Sequence, residues 1–539
     1  MLYFDAHACI GQRPQKHKRT RWSTEQWLED MELAELSGAL VSHALAHSYD
    51  PIYGNARLAS EVAKAPDVLF PLWCILPLGS VDFYATGNEL LGAMEESGVR
   101  AVRLVPGNYS LHEAVMGETF AALEDARVLT LLSVRWGGSE PFDFFHELLA
   151  RYPQLPVLLT DHVWSQQRHV HRLLQLHDNL HIEFSAYQIN RGIEAYVVEF
   201  GDERLLFGTG GTEKSPGAAR AFIDYAQISQ ESKERVAGGN LVRLLKGQGP
   251  QRSAAPGRPN DLCIADARVG RPQSTFVFDA HAHVLHEGGQ AAGANYIMLG
   301  GDAAGMLEVN HWCGIDRIAM MSWHGPVCTD AEDGNDVVWR AMQRFGEEIV
   351  GVAVIDPTHM TRAGIEAEIE LRYREQGFIG LKPYVHMNLQ YEDEDFMPWW
   401  AFGDAHRLYA LMHVAPHTGG VAGVGRLAER FPNMSWLIAH SGGSYAFAEE
   451  VAACIVDHPN VYAELTLTPV TNRVVEYLVE ATDDEHVLFG TDAPMRDPRQ
   501  QLGWVLWSDL PQASKEKVLG LNFKRIVERA LRPEARHDH

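Results

Sequence analysis

The chain has 539 residues, of which 46% are hydrophobic and 22% are charged, with a formal net charge of −25 at pH 7. This length exceeds a single ordinary hydrophobic core, so we expect two or more domains. The acidic charge balance disfavours binding of nucleic acid or of anionic membrane surfaces, because both require basic patches.

Short apolar segments alternate along the chain with longer segments of helical periodicity, which is typical of repeated βα units on a parallel sheet. Eight strands are predicted in the first half, at Leu2–Ile10, Gly38–His47, Leu69–Pro77, Gly98–Gly107, Arg127–Trp136, Leu155–Val163, Leu180–Tyr187 and Arg204–Gly211. A closing helix is predicted at Asn240–Leu245. Eight such units in about 250 residues match the size of a (β/α)8 barrel.

Residues 249–274 are rich in Gly, Pro, Arg and Ser and are interpreted as a linker. Eight more strands are predicted beyond it, at Thr275–Val284, Asp316–Trp323, Ile349–Pro357, Gly377–Tyr384, Leu408–Ala415, Ser435–Gly442, Val461–Thr468 and His486–Pro494. A closing helix follows around Leu519–Val527. We predict an α/β protein of two tandem TIM-type (β/α)8 barrels, 1–248 and 275–539, with the first degenerate. A pair of open doubly wound sheets is disfavoured, because no Gly-rich phosphate turn follows either first strand.

The sequence Phe-Asp-Ala-His-Ala begins both halves, at 4–8 and at 278–282. The first copy continues to Cys9, whereas the second continues to His283 and so contains a His-x-His pair. Leu-Phe-Gly-Thr also recurs at the eighth strand of each half. These repeats indicate a duplication in which one copy kept its candidate ligands and the other lost them.

The second half places potential metal ligands at the carboxyl ends of its predicted strands, where the active sites of such barrels lie. His281 and His283 are two residues apart in a strand and therefore face the same side. His413 follows the fifth strand, and Asp492 follows the eighth. Three imidazoles and one carboxylate suit a borderline cation such as Zn²⁺, with a position left open for water.

Other polar residues at the strand ends are candidates for catalysis and substrate binding. His440 precedes Ser-Gly-Gly, whose small side chains leave room for a ligand, and Glu464 is a candidate for orienting a metal-bound histidine. Lys382 has three open interpretations: a carboxylated lysine that bridges two metals, a clamp for a substrate carboxylate, or a salt-bridge residue. The remaining candidates for substrate contact are Trp323, His324, Tyr384 and His386.

Phe-Asp-Ala-His-Ala-His, Gly-Phe-Ile-Gly-Leu-Lys, Phe-Pro-Asn-Met-Ser-Trp-Leu-Ile-Ala-His-Ser-Gly-Gly and Val-Leu-Phe-Gly-Thr-Asp resemble the amidohydrolase superfamily, specifically its amidohydrolase-2 branch. That branch contains metal-dependent hydrolases, lactonases and decarboxylases related to aminocarboxymuconate-semialdehyde decarboxylase. The resemblance covers nearly the whole chain as two copies. It implies one divalent ion, usually zinc, on His281, His283, His413 and Asp492. It also implies that His440 positions or deprotonates the water. In the hydrolysis that we consider below, Asp492 or His440 accepts the proton, so Asp492 is the second candidate catalytic residue.

The first half departs from this pattern at most functional positions. His7 remains, but Cys9 replaces the second histidine of the pair. Ser133, Asp161 and Gly210 stand where the second half has its other candidate ligands and its base. We therefore expect no working ion site in the first barrel, and we expect this barrel to serve as an intramolecular partner of the second.

Three functions stay open on the sequence alone. The leading hypothesis is hydrolysis of a small ester, lactone or amide by a zinc-activated water. The second is metal-dependent, non-oxidative decarboxylation of a small aromatic or unsaturated acid, and the third is a non-catalytic paired-barrel scaffold. The six cysteines have no paired spacing and the first residues lack a signal-peptide pattern, so we expect a cytoplasmic protein with a small-molecule substrate. A homo-oligomer is left open.

Overall fold

The chain forms two compact units, each built on one eight-stranded parallel sheet. The computed structural model describes residues 1–13, 17–107, 109–134, 141–293, 296–467 and 469–531. The first unit contains residues 1–188 and 192–259, and the second contains 189–191 and 260–539. In each sheet the strands lie in chain order, which confirms two tandem (β/α)8 barrels.

In the first unit, every strand pairs with its neighbours in parallel. Strands β1 to β8 are Phe4–Ile10, Gly38–His43, Leu69–Ile75, Ala101–Leu104, Leu129–Ser133, Val157–Thr160, Leu180–Glu183 and Leu205–Leu206. Helices α1 to α11 are Thr24–Leu33, Ala44–Ser48, Pro51–Val62, Gly87–Glu96, Glu113–Asp125, Pro141–Arg151, Gln167–Leu176, Gly192–Phe200, Pro216–Asp224, Gln230–Glu234 and Asn240–Leu244. The amide of Ala6 donates to the carbonyl of Phe207 at 3.0 Å, which links β1 to the end of β8 and closes the barrel.

The second unit repeats this arrangement and adds a short antiparallel hairpin of two strands, β10 and β11. Strands β9 to β18 are Phe278–Val284, Ala291–Ala292, Tyr296–Ile297, Arg317–Ser322, Ile349–Val354, Gly380–Lys382, Tyr409–Met412, Ser435–Ile438, Val461–Leu465 and Val487–Phe489. Helices α12 to α23 are Leu262–Arg268, Ala303–Cys313, His324–Cys328, Ala331–Phe345, Arg362–Ile369, Met397–Ala405, Gly420–Arg430, Tyr445–Asp457, Val474–Ala481, Pro498–Leu506, Gln512–Glu516 and Asn522–Leu531. The boundary between the units, after residue 259, falls inside the predicted linker. This segment is not entirely irregular, because it contains α12.

The barrel strands are buried on both faces, as expected for parallel strands that are covered by helices. At the amino-terminal end of the second barrel, the ring of Phe523 from α23 lies 4.7 Å from that of Phe278 and 5.2 Å from that of Tyr409. Both partners begin their strands, so the closing helix covers this end. The polar groups of the barrel therefore collect at the opposite, carboxyl end.

An aspartate–threonine pair explains why two sequence motifs recur together. In the second barrel, the amide of Thr491 donates to Asp279 Oδ1 at 3.1 Å, and its hydroxyl donates to Oδ2. In the first barrel, Thr209 makes the same two bonds to Asp5, at 2.9 and 2.6 Å. The Asp of Phe-Asp-Ala-His thus ties the first strand to the Thr of Leu-Phe-Gly-Thr after the eighth, and both barrels keep this closure.

Most predicted strands extend beyond the observed ones, because their apolar runs continue into the loops above the barrel. The prediction at Gly38–His47, for example, includes most of α2. Residues 135, 136 and 468, at the ends of two predicted strands, lie outside the described residues.

Two further observations concern the helices and the cysteines. Within the described ranges, no helix is both long and apolar enough to cross a membrane. All six cysteines are free of disulfides.

Candidate active site

Polar side chains of the second barrel converge at the carboxyl ends of its strands, beside a cavity of about 1150 Å³. His281 and His283 lie within β9, as predicted. His413 directly follows β15, His440 lies two residues after β16 and Asp492 three residues after β18. The sequence placed these last three at strand ends, whereas the structure places them in the loops just beyond. All five line the cavity.

Three donor atoms converge as a divalent cation would require. Asp492 Oδ1 lies 3.1 Å from His283 Nε2 and 3.5 Å from His281 Nε2. The opposite ring nitrogens are engaged elsewhere: His281 Nδ1 contacts Glu464 Oε2 at 2.9 Å, and His283 Nδ1 donates to the Ser322 carbonyl at 3.1 Å. Both Nε2 lone pairs therefore face Asp492. Burial lowers the pKa of His283 to about 3, so its imidazole is neutral, as a metal ligand must be.

His440 and His413 form a second pair beside this cluster. His440 Nδ1 donates to the Thr466 carbonyl at 2.9 Å, and its Nε2 lies 3.2 Å from His413 Nδ1. Among the described residues, the two sets whose ligand atoms lie within 4.8 Å of one another are His281, His283 and Asp492, and His281, His440 and Glu464. His413 is in neither set, so its role as the fourth ligand stays a prediction.

The backbone at two site residues has a left-handed conformation that favours glycine. The φ angle is +64° at His440 and +56° at Asp492. The His440 amide donates to Glu464 Oε2 at 3.3 Å, and the Asp492 amide donates to the His281 carbonyl at 2.7 Å. Such conformations cost of order 1–3 kcal/mol and persist where surrounding bonds impose them, which is typical of functional sites.

Glu464 contacts both His281 and His440 and so links the two groups of histidines. Its carboxylate contacts His281 Nδ1, and it accepts bonds from the His440 amide and the Thr466 hydroxyl. A β-carbon at Gly490 would lie 2.0 Å from Glu464 Oε1, so this position of Leu-Phe-Gly-Thr must be glycine for the carboxylate to fit. Burial raises the pKa of Glu464 to about 7. Its predicted role of orienting a ligand histidine therefore has a direct geometric basis.

Replacing Glu464 with glutamine is expected to weaken divalent-metal binding by about 10- to 100-fold, because His281 loses its carboxylate partner. Competition titration against a chromophoric chelator measures this affinity. Glu183→Gln, at the equivalent position of the first barrel, is the matched control and should leave the affinity unchanged. An unaltered affinity in Glu464→Gln would show that Glu464 does not orient a ligand.

Two cations lie near the cluster. Lys382, the last residue of β14, is fully buried, and its Nζ has no hydrogen-bond partner among the described residues. Burial lowers the pKa of Lys382 to about 7. Arg496 is 4% exposed, lines the cavity and donates from Nη1 to Asp492 Oδ2. Arg496 was not predicted from the sequence. Its place four residues after the candidate ligand Asp492 was the signal that could have identified it.

An apolar and aromatic wall forms one side of the cavity. Trp323 packs with Leu285 and Met298, and the β10–β11 hairpin adds Tyr296 at 5.2 Å between ring centroids. The Trp323 ring also lies 5.0 Å from that of His283. The predicted substrate residues Trp323, His324, Tyr384 and His386 all line the cavity, whereas Lys382 lies behind its lining. This wall suits the apolar part of a small substrate.

The fold and these side chains define a (β/α)8 protein with a candidate metal centre at its strand ends. A family model described as Amidohydrolase (Amidohydro_2) matches residues 51–247 and 278–528. Because the two regions make up well over half of the chain, the chain belongs to this family. The match in two regions confirms the predicted resemblance and agrees with a tandem duplication.

Several solved structures resemble about half of the chain. The 2,6-dihydroxybenzoate decarboxylase from Rhizobium is 13% identical over 47% of this chain and 99% of its own, with a TM-score of 0.39. The 5-carboxyvanillate decarboxylase from Sphingomonas paucimobilis is 16% identical over 47% and 99%, with a TM-score of 0.38. An amidohydrolase from Burkholderia multivorans is 14% identical over 47% and 99%, also at 0.38. No curated protein matches the chain.

The first barrel carries different residues at the equivalent place. His7 Nδ1 lies 3.8 Å from Glu183 Oε1, and Cys9 Sγ lies 4.0 Å from His47 Nε2. Within the described part of this unit, no three ligand atoms from His, Cys, Asp or Glu lie within 4.8 Å of one another. The absence of an ion from this barrel and its role as an intramolecular partner stay predictions.

Proposed function

We propose that the second barrel is a metal-dependent hydrolase of a small ester, lactone or amide. The observation that carries this proposal is that His281 Nε2 and His283 Nε2 both lie within 3.5 Å of Asp492 Oδ1, beside a substrate-sized cavity. Two neutral imidazoles and a carboxylate are a suitable donor set for one Zn²⁺, and His413 is the proposed fourth ligand.

A divalent ion on these ligands supplies Lewis-acid chemistry, polarising a carbonyl and lowering the pKa of a water molecule. His440 is the proposed general base. Its Nδ1–H is donated to the Thr466 carbonyl, so its lone pair is on Nε2, which His413 Nδ1 contacts at 3.2 Å. The water proton therefore goes to Nε2 in exchange for this contact. As the water oxygen bonds to the carbonyl carbon, His440 Nε2 takes that proton and later returns it to the departing alcohol or amine.

The remaining residues orient the reactants. Glu464 holds His281, and Asp492 contributes its carboxylate to the ion and to the positioning of water. Arg496 is close to Asp492 and lines the cavity, so it is suited to an anionic group on the substrate. The wall formed by Trp323 and Tyr296 excludes water from the apolar part of the substrate.

Non-oxidative decarboxylation of a small acid is the second candidate, and Lys382 is the observation that favours it. A buried amine with a pKa of about 7, no hydrogen-bond partner in the described residues and no place in the cavity lining is suited to store the proton that the reaction delivers to carbon. Arg496 would then hold the carboxylate that is lost.

A product assay separates the two reactions. Purified protein loaded with Zn²⁺ or Mn²⁺ is given a panel of lactones, aryl esters and hydroxybenzoates, and acid release and carbon dioxide are both recorded. Hydrolysis predicts acid release without carbon dioxide, lost in Asp492→Asn. Carbon dioxide evolution that is lost when Lys382 is substituted would contradict hydrolysis and support decarboxylation. A protein that binds no metal and turns over neither set would be the paired-barrel scaffold.

A further inference from the structure

The first barrel keeps the backbone framework of the site although it has lost the ligands. The φ angle is +61° at Asp161 and +67° at Gly210, close to the values at His440 and Asp492. The Asp161 amide donates to Glu183 Oε1 at 3.1 Å, as the His440 amide donates to Glu464. Asp161 and Gly210 therefore have the same backbone conformation as their counterparts His440 and Asp492.

One of the two cations near the metal centre has an equivalent in β4 of the first barrel. Asn335 exchanges hydrogen bonds of 3.0 and 2.8 Å with the backbone of Val354, the register partner of Lys382. Asn55 makes the same exchange with Cys74, at 2.8 and 3.1 Å, and Cys74 is the register partner of Arg103. Arg103 thus stands where the second barrel has Lys382.

The other cation also has an equivalent. Lys214 follows Gly210 by four residues, as Arg496 follows Asp492. The duplication has therefore exchanged lysine and arginine at both positions and kept the positive charge at each. Two proposed metal ligands have no counterpart that could bind an ion: Gly210 corresponds to Asp492, and Ser133 corresponds to His413. The charges persisted where the ligands did not, which points to an anion rather than a metal as the group that both positions serve.

The local geometry of the first barrel fits an anion. Lys214 Nζ and Arg103 Nη2 lie 3.9 and 4.0 Å from the Asp161 carboxylate, too far for hydrogen bonds. Arg103 is 9% exposed, and its Nη1 has no hydrogen-bond partner among the described residues. A buried guanidinium donor without a partner is costly and rare. Burial acts to raise the pKa of Asp161, yet His7, Lys214 and Arg103 hold it well below its usual range, so these side chains stabilise a negative charge at this place.

We propose that the carboxyl end of the first barrel is a metal-free binding site for a small carboxylate. Arg103 offers its planar guanidinium to the carboxylate, and the Lys214 ammonium supplies the second positive charge. Ser133 and Gly210 are smaller than the equivalent His413 and Asp492, and the Lys214 side chain lies against Gly210, with Cδ 3.0 Å from the place of a β-carbon. This site is separate from the hydrolase proposed for the second barrel and does not depend on it.

Equilibrium dialysis of radiolabelled malonate against the full chain tests the proposal. The background variant carries Lys382→Met and Arg496→Met, so the cations of the second barrel cannot contribute. It should bind one malonate per chain, and adding Lys214→Met or Arg103→Met should weaken this binding by about tenfold or more. Lys214→Arg keeps the charge and should keep the binding.

A second variant tests the site without removing a cation. A β-carbon at Gly210 would lie 3.4 Å from Lys214 Nζ, so Gly210→Asp places a carboxylate of the chain itself against the ammonium. Aspartate already occupies the equivalent left-handed position in the second barrel, so the fold should persist, as an unchanged melting temperature would show. Malonate binding should be lost. Absence of saturable binding in the background variant, or equal binding after Lys214→Met, Arg103→Met or Gly210→Asp, would overturn the proposal.

Discussion

Replacing His283 with alanine is expected to empty the metal centre and to lower kcat/KM by about 10³-fold or more. The Lewis acid contributes several kcal/mol, and each 1.4 kcal/mol corresponds to a factor of ten in rate. His283 Nε2 lies 3.1 Å from Asp492 Oδ1. Its removal therefore deletes one of the three atoms that would bind the ion. Elemental analysis and steady-state kinetics on the substrate found by the product assay measure the two effects.

Cys9→Ala is the matched control for this substitution, because Cys9 occupies the equivalent position in the repeated motif. It should leave both the metal content and kcat/KM unchanged. A His283→Ala protein that kept its metal and at least a tenth of its activity would contradict the proposed ligand set.

His440→Asn is expected to lower kcat by about 10²- to 10⁴-fold while the metal stays bound, because the general base is lost and the ligands are not. Asparagine tolerates the left-handed backbone at this position, where φ is +64°, so the fold should be preserved. The dependence of kcat on pH should also lose the limb that reports the base. Kinetics and elemental analysis on the same sample check both points.

Asp161→Asn, at a φ of +61° in the first barrel, is the control for backbone strain and should have no effect on turnover. Loss of the metal in His440→Asn would instead identify His440 as a ligand, as the alternative donor set of His281, His440 and Glu464 allows.

The fold and the core of the site were predictable because short-range patterns determine them. Parallel strands that are buried on both faces have continuous apolar sequences, which made them recognisable. Residues i and i+2 of a strand lie on the same side, which predicted that His281 and His283 are neighbours. The order of the strands placed His413, His440 and Asp492 at the same end of the barrel. None of these inferences needs the path of a loop.

The residues that sequence reasoning missed depend on loops and on long-range contacts. Arg496 reaches the cavity through the backbone turn after Asp492, and the β10–β11 hairpin adds Tyr296 to the wall from a connection with no strand periodicity. The steric reason for Gly490 lies in Glu464, which belongs to another strand. Such relations appear only when separate strands are brought side by side.

The duplication shows which parts of the barrel are needed for folding and which for chemistry. The closure of Asp279 on Thr491 has its counterpart in Asp5 and Thr209, because each sheet needs it to join its first strand to its last. His283, by contrast, has Cys9 as its counterpart, so the second imidazole of the motif is not needed for folding.

Anomalous diffraction at the metal edge, from crystals of the full chain grown with the native metal, tests the central claim most directly. The account predicts one peak per chain, about 2.0–2.2 Å from His281 Nε2, His283 Nε2 and an Asp492 carboxylate oxygen, and no peak beside His7 and Cys9. A second barrel without a peak, or a peak in the first barrel, would contradict it.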